Sequence, residues 1–255
     1  MTTPSALRTE RLRVRFGAFT AIDDVSLDVA AGARHALIGP NGAGKTTLIN
    51  LITGVLRPDA GEVMLGAERI TRVAPFARVK RGLARTFQIN TLFPGLTVIE
   101  SVALAVCERM GQGASWFRPL AARRTALEEA ARLLASLQLD GDATRTTREL
   151  PYGKQRLLEI ALALATRPRV LLLDEPAAGV PSGESHQLLQ TLESLPREMT
   201  ILLIEHDMAL VFRFAQRITV LVGGRILTEG SPAEIAADAR VREVYLGEVG
   251  DGGHA

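Results

Sequence analysis

A strand that runs into a glycine-rich loop and leaves it as a helix admits few folds, and residues 33–52 have that order. Ala33-Arg34-His35-Ala36-Leu37-Ile38 reads as the strand. Gly39-Pro40-Asn41-Gly42-Ala43-Gly44-Lys45-Thr46 is a complete G-x-x-x-x-G-K-[ST] pattern, and Thr47-Leu48-Ile49-Asn50-Leu51-Ile52 reads as the following helix. Glycines let successive backbone N–H groups turn inward with no Cβ in the way of a phosphate. Lys45 can reach the β- and γ-phosphates and the Thr46 hydroxyl can ligate Mg²⁺. A helix N-terminus behind the loop favours the anion. The segment predicts a nucleoside triphosphate site on an α/β core.

The rest of the chain supplies the sheet. Leu12, Val14 and Phe16, then Val25, Leu27 and Val29, alternate with polar residues, which predicts half-exposed antiparallel strands. Pro58-Asp59-Ala60-Gly61 is a turn leading into the strand Glu62-Val63-Met64-Leu65. Val170–Leu173 and Thr200–Ile204 are short unbroken apolar runs, the pattern of parallel strands covered on both faces. Arg217–Val222, Gly223-Gly224 and Arg225–Leu227 read as a hairpin. Residues 98–165 differ: Leu127, Ala131, Leu134 and Leu137 have helical spacing, with breaks at Gly111-Gln112-Gly113 and Gly141-Asp142. An all-helical insert therefore interrupts the α/β core.

Composition narrows the function. A formal net charge of +2 sets up no strong field toward nucleic acid. The basic run Arg78, Lys80, Arg81 and Arg85 reads as a solvated helix face rather than a nucleic-acid patch. The single cysteine, Cys107, excludes an internal disulfide and a cysteine-based zinc site, and reads as a small apolar filler. No run of about 18 apolar residues spans a membrane, and the first ten residues lack the apolar core of a secretory signal. A cytoplasmic location is expected, with any membrane role coming through a partner. Trp116 reads as packing. His35, His186 and His254 receive no role.

Val170-Leu171-Leu172-Leu173-Asp174-Glu175-Pro176 is an apolar strand ending in adjacent carboxylates. Asp174 can hold the Mg²⁺ shell while Glu175 points elsewhere and polarises an attacking water.

Leu150-Pro151-Tyr152-Gly153-Lys154-Gln155-Arg156 opens a further helix. With this segment the chain resembles the nucleotide-binding subunits of ATP-binding-cassette (ABC) transporters, whose signature usually reads Leu-Ser-Gly-Gly-Gln. The resemblance covers almost the whole chain and keeps the family's motif order. It implies the ABC ATPase fold: a phosphate-loop NTPase core with a mixed sheet, an antiparallel β subdomain and an inserted helical subdomain. The chain would form a single nucleotide-binding domain over 1–250, with its core at 1–87 and 166–240 and its helical subdomain at about 88–165. A family-type segment would follow at 241–250, and a disordered tail at 251–255.

The resemblance also implies the site. ATP would lie on Gly39, Pro40, Asn41, Gly42, Ala43, Gly44, Lys45, Thr46 and Thr47, with Phe16 stacked on the adenine. Gln88 would match the glutamine that joins Thr46 and Asp174 at the Mg²⁺ and senses the γ-phosphate. Glu175, His206 and Lys45 would be catalytic, with His206 in the switch-histidine position. Gly153 would face the nucleotide of a second subunit, in a homodimer or heterodimer. Two departures stand out. Pro151 and Tyr152 replace Ser-Gly of the signature, and Pro151 has neither hydroxyl nor N–H. Pro181 stands where many relatives have Asp.

The altered signature, the run Leu-Leu-Ile-Glu-His-Asp-Met and the C-terminal Val-Tyr-Leu-Gly-Glu resemble the ATP-binding subunits of branched-chain amino-acid importers. Related small solutes share the pattern. The expected partners are permease subunits docking near Gln88, a second ATP-binding subunit and, indirectly, a periplasmic binding protein. The expected place is the inner face of the plasma membrane. Two alternatives remain open: the ATPase of a lipid- or lipopolysaccharide-extracting transporter, and a soluble non-transport ABC ATPase.

Overall fold

The computed structural model describes residues 4–86, 92–112, 123–180 and 182–250, with the backbone alone for 182–187 and 246–250. In chain order the elements are β1 (Ser5–Phe16), β2 (Phe19–Val25), β3 (Asp28–Ala30), β4 (Arg34–Ile38), α1 (Lys45–Thr53), β5 (Ala60–Leu65), β6 (Glu68–Arg69), α2 (Pro75–Lys80), β7 (Leu83–Arg85), α3 (Val98–Arg109), α4 (Arg124–Ser136), α5 (Tyr152–Ala165), β8 (Val170–Asp174), α6 (Ser182–Ser194), β9 (Thr200–Ile204), α7 (Met208–Phe214), β10 (Arg217–Val222), β11 (Arg225–Gly230), α8 (Pro232–Ala237) and α9 (Ala239–Gly250). They group into two compact units, Met1–Arg78 with Pro196–Ala255, and Val79–Leu195.

In the first unit β1 pairs antiparallel with β2, β3 and β5. Its alternation is real: Leu7, Leu12 and Val14 are buried while Arg8, Arg11 and Arg13 are exposed. The register slips between Glu10 and Arg13, where Arg11 takes a positive φ of 46°. A bulge there gives β1 extra twist, as bulges do. A second sheet has β4 between β9 and β10, parallel to both, with β11 antiparallel to β10. Every residue of β4 and β9 is buried; β9 reads accordingly as an unbroken apolar run, whereas β4 also buries Arg34 and His35. Val211 of α7, Ile235 of α8 and Val241 of α9 pack with Ala36, Ile38, Ile218 and Val220 of β4 and β10. Full burial of a side chain such as Ile38 stabilises by about 1.5–3 kcal/mol.

In the second unit β7 and β8 pair in parallel, and α3 packs on α4 and α5. A capping box fixes the start of α3: Thr97 accepts from the Glu100 N–H, and the Glu100 carboxylate accepts from the Thr97 N–H. The break after α3 falls at Gly111, φ 71°. The break at Gly141 is a 3₁₀ turn over Asp140–Asp142. Cys107 is buried in α3.

The basic run departs from its expected exposure. Arg78 is 2% exposed. Arg85 lies on a strand, half-buried against Asp174. Neither belongs to a solvated helix face. Charge spacing alone cannot separate a solvated arginine from one whose fork is consumed by buried carbonyls.

Candidate nucleotide site

The phosphate loop joins β4 to α1, and two of its glycines are demanded by protein rather than by ligand. A Cβ on Gly39 would sit 2.1 Å from the Leu221 carbonyl oxygen, and one on Gly44 would sit 2.8 Å from the Ala21 oxygen. Gly42, φ 77°, meets no atom within 4 Å in that direction, so only its backbone angle asks for glycine. Helix α1 starts at Lys45 with no side chain capping it. First-turn N–H groups of a helix have no partner within the helix, and an anion can take them up. The Lys45 ammonium donates to the carbonyls of Gly39 (2.5 Å) and Pro40 (3.0 Å), so it lies folded along the loop that would hold the phosphates. Thr46 is exposed and Thr47 half-buried in the same turn.

Sequence reasoning found the Gly223-Gly224 hairpin but missed what it does. Both glycines have positive φ, 53° and 75°, as a two-residue turn of the I′ kind requires. The Gly224 N–H donates to the Ala43 carbonyl (2.9 Å), and the Asp23 N–H donates to the Gly224 carbonyl (2.9 Å). The turn therefore ties the phosphate loop to β2. The far end of α1 is held by Arg78. Its guanidinium donates to the carbonyls of Leu51 (2.9 Å), Ile52 (2.5 Å), Val73 (2.9 Å) and Thr71 (2.8 Å). Two of these are carbonyls from the last turn of α1, where a cation is favoured by the helix dipole. Burial pulls Arg78 down to about 10, still cationic at neutral pH.

His206 follows β9. Because Leu37 of β4 pairs in register with Ile204, the phosphate loop and the Glu205-His206 segment leave the same end of this sheet. His206 is exposed, with Nδ1 3.7 Å from the Glu205 carboxylate. Glu205 is buried and accepts from the His206 N–H at 3.1 Å. Glu205 went unassigned from sequence. A carboxylate beside a motif histidine was the available signal. Phe16 is half exposed at the hairpin end of β1, opposite the more exposed Phe19, an open aromatic face suited to a base.

In the second unit Asp174 ends β8. Its N–H donates to Thr86 Oγ1 (3.3 Å), and its carboxylate pairs with Arg85. Glu175 has φ 47°, a left-handed conformation that non-glycine residues rarely adopt. Pro151 is the N-cap of α5, one residue before its first turn, with no side-chain cap. Gly153 is buried in that turn. Lys154 Nζ bonds Asp142 (2.5 Å), which also pairs with Arg145 (3.0 Å), so α5 is anchored just past its start. The two partners hold the Asp142 carboxyl below its ordinary range. Gln88, Pro181, Trp116, His254 and the side chain of His186 lie outside the described residues.

Among the described residues no group of three or more His, Cys, Asp or Glu could hold a metal ion. Mg²⁺ is a hard cation that can be bound by one or two protein oxygens, with phosphates and water completing its shell. The hydroxyl of Thr46 and the carboxylate of Asp174 are oxygen donors of that kind.

A glycine loop that opens an uncapped helix, with its lysine drawn along it, defines a phosphate-loop nucleotide-binding protein. The ABC transporter family model matches residues 22–178, and the chain belongs to that family. A model described as branched-chain amino acid ATP-binding cassette transporter matches residues 225–251. The chain is 39% identical over 249 residues to the high-affinity branched-chain amino acid transport ATP-binding protein BraF of Pseudomonas aeruginosa, covering 95% of this chain and 98% of that one. It is 40% identical over 250 residues to the corresponding protein LivG of Salmonella typhimurium, with the same coverage. A solved nucleotide-free ATP-binding cassette from an ABC transporter superposes with a TM-score of 0.83 at 32% identity, covering 94% of this chain and 98% of that one. The fold is thus the α/β ABC ATPase fold, and ATP hydrolysis coupled to transport is the activity of the chain.

Proposed function

We propose that the chain powers uptake of branched-chain amino acids or a closely related small solute. The observation that carries this reading is the pair of matches, the C-terminal model at residues 225–251 and the 39% and 40% identity to BraF and LivG over nearly their whole length. The nucleotide is ATP, seated on Gly39 to Thr47 with Phe16 against the base. Thr46, Asp174 and Gln88 would hold Mg²⁺, which would supply charge neutralisation on the phosphates. Lys45 swings from the loop carbonyls to the γ-phosphate oxygens. Glu175 orients the attacking water, and His206, steadied by Glu205, contacts the γ-phosphate or that water. Catalysis of this kind rests on positioning and charge stabilisation.

Gly153 at the start of α5 faces the nucleotide of a second ATP-binding subunit. Permease subunits dock near Gln88, and a periplasmic binding protein delivers the solute. No described helix is long and apolar enough to cross a membrane, so attachment to the inner face of the plasma membrane goes through the permeases. The test is uptake of radiolabelled leucine in cells lacking the gene. Wild type should restore it, and Lys45→Ala and Glu175→Gln should not. Restoration by Lys45→Ala would overturn the phosphate-loop assignment. Full ATPase and no leucine, isoleucine or valine uptake by wild type would overturn the solute.

A further inference from the structure

Tyr152, the aromatic that replaces a glycine of the family signature, is built onto the loop that carries Glu175. Its hydroxyl donates to the Ala178 carbonyl at 3.3 Å. Arg156, one turn further along α5, donates to the same carbonyl at 3.4 Å and to the Tyr152 oxygen at 3.0 Å. The Arg156 guanidinium also lies over the Tyr152 ring, 5.3 Å from its centroid, a cation–π arrangement that fixes both side chains. Arg156 is held from below by the buried carboxylate of Glu159, at 3.0 Å.

Gly179 completes the fit. It has φ 73°, and a Cβ there would meet the Tyr152 hydroxyl at 3.1 Å and two ring carbons at 3.3 Å. The ring therefore rests on bare backbone. The loop is closed on itself: the Ala178 N–H donates to the Glu175 carbonyl (3.0 Å), and the Val180 N–H to the Ala177 carbonyl (3.1 Å). Glu175 opens this turn in a left-handed conformation. Such a conformation persists only where surrounding structure over-determines it. The carbonyl that Tyr152 and Arg156 grip belongs to the residue whose N–H closes the turn onto Glu175.

We propose that Tyr152 and Arg156 are positioning residues for the hydrolytic carboxylate: they clamp the turn at Ala178 and so hold Glu175 in its left-handed conformation. In this reading the aromatic gives the signature helix a second task, inside its own subunit. The inference rests on the assignment of Glu175 as the water-orienting group.

The test is a double-mutant cycle on ATPase of the full chain in its transporter complex. Tyr152→Phe keeps the ring and removes only the hydroxyl. It should lower kcat about fivefold, the scale of one lost neutral hydrogen bond, with KM for ATP and the melting temperature unchanged. In a Glu175→Gln background, read by single-turnover hydrolysis, Tyr152→Phe should add no further loss. Unchanged kcat in Tyr152→Phe, with Glu175→Gln inactive, would overturn this inference alone. So would a raised KM with unchanged kcat, or equal losses in both backgrounds, since each places the tyrosine's effect outside Glu175. Wild-type turnover in Glu175→Gln would overturn the assignment of the carboxylate itself, whatever Tyr152→Phe does.

Discussion

The phosphate loop and the carboxylate loop are held by different means. Around Gly39–Thr46 the closest approaches to other elements are backbone to backbone, Gly39 against Leu221, Gly44 against Ala21 and Gly224 against Ala43, while the Lys45 side chain folds onto the loop's own carbonyls. Around Asp174–Gly179 the ties to other elements are made by side chains, Arg85 on Asp174, Thr86 under its N–H, and Tyr152 with Arg156 on Ala178, while backbone hydrogen bonds close the turn itself. A backbone-built loop needs glycine at fixed positions and tolerates little else. A side-chain-built loop needs donors of the right reach, which several residue types can supply. The first should therefore fail by unfolding and the second by losing rate.

The sharpest way to break that contrast is Gly39→Ala. The added methyl enters the Leu221 carbonyl at 2.1 Å, from a backbone angle of 157°. Overpacking and backbone strain together should cost about 4 kcal/mol, seen as a lower urea midpoint. A Gly39→Ala protein with native stability and lost ATP binding would show that the loop glycine serves the ligand instead.

What sequence could and could not reveal follows the same division. The strands, the phosphate loop and the Gly-Gly hairpin were legible, because each is a run or a spacing. The bracing of Ala43 by Gly224 was not, since it joins residues far apart in the chain. Arg78 was misread because a spacing of charges looks the same whether the guanidinium meets water or buried carbonyls. Pro151 reads as a departure at the opening of a helix, where it does lie, and Tyr152 as a departure alone. The seat of Tyr152 over Gly179 joins residues far apart in the chain and leaves no local signal.

His35 was passed over for want of a motif, yet it is fully buried in β4. Its Nε2 lies 2.8 Å from Thr219 Oγ1, which donates to Glu229 at 2.8 Å. The hydroxyl oxygen must then accept from Nε2–H, and Nδ1 has no hydrogen-bond partner. Burial pushes His35 down to about 4, with Arg217 adding to the fall and Glu229 and Asp28 opposing it. The unfolded histidine takes its proton near 6.5, so between those values the unfolded state binds more protons. Stability should fall as pH drops from about 6.5 to 4, by roughly 3 kcal/mol in all. Urea melts across that range check it. A slope unchanged in His35→Gln would assign the acid sensitivity elsewhere.

Arg78 is the case that tests the contrast from inside, because one end of the backbone-built region leans on a side chain. Its fork serves carbonyls from α1 and from the segment after β6. It also packs against Gly54, where a Cβ would come within 2.6 Å of the guanidinium. Arg78→Lys keeps the charge at the helix end but replaces a planar fork with a point donor. Some buried carbonyls then lose their partner, at a cost of about 2 kcal/mol. If α1 is a rigid rod, the loss should appear as lower stability with unchanged ATP affinity. If the helix end instead sets the aim of its first-turn N–H groups, ATP affinity should fall with stability. Titration with a fluorescent ATP analogue, beside a urea melt of the same variant, separates the two. Weakened binding would mean that a side chain at the far end of α1 tunes a loop otherwise made of backbone.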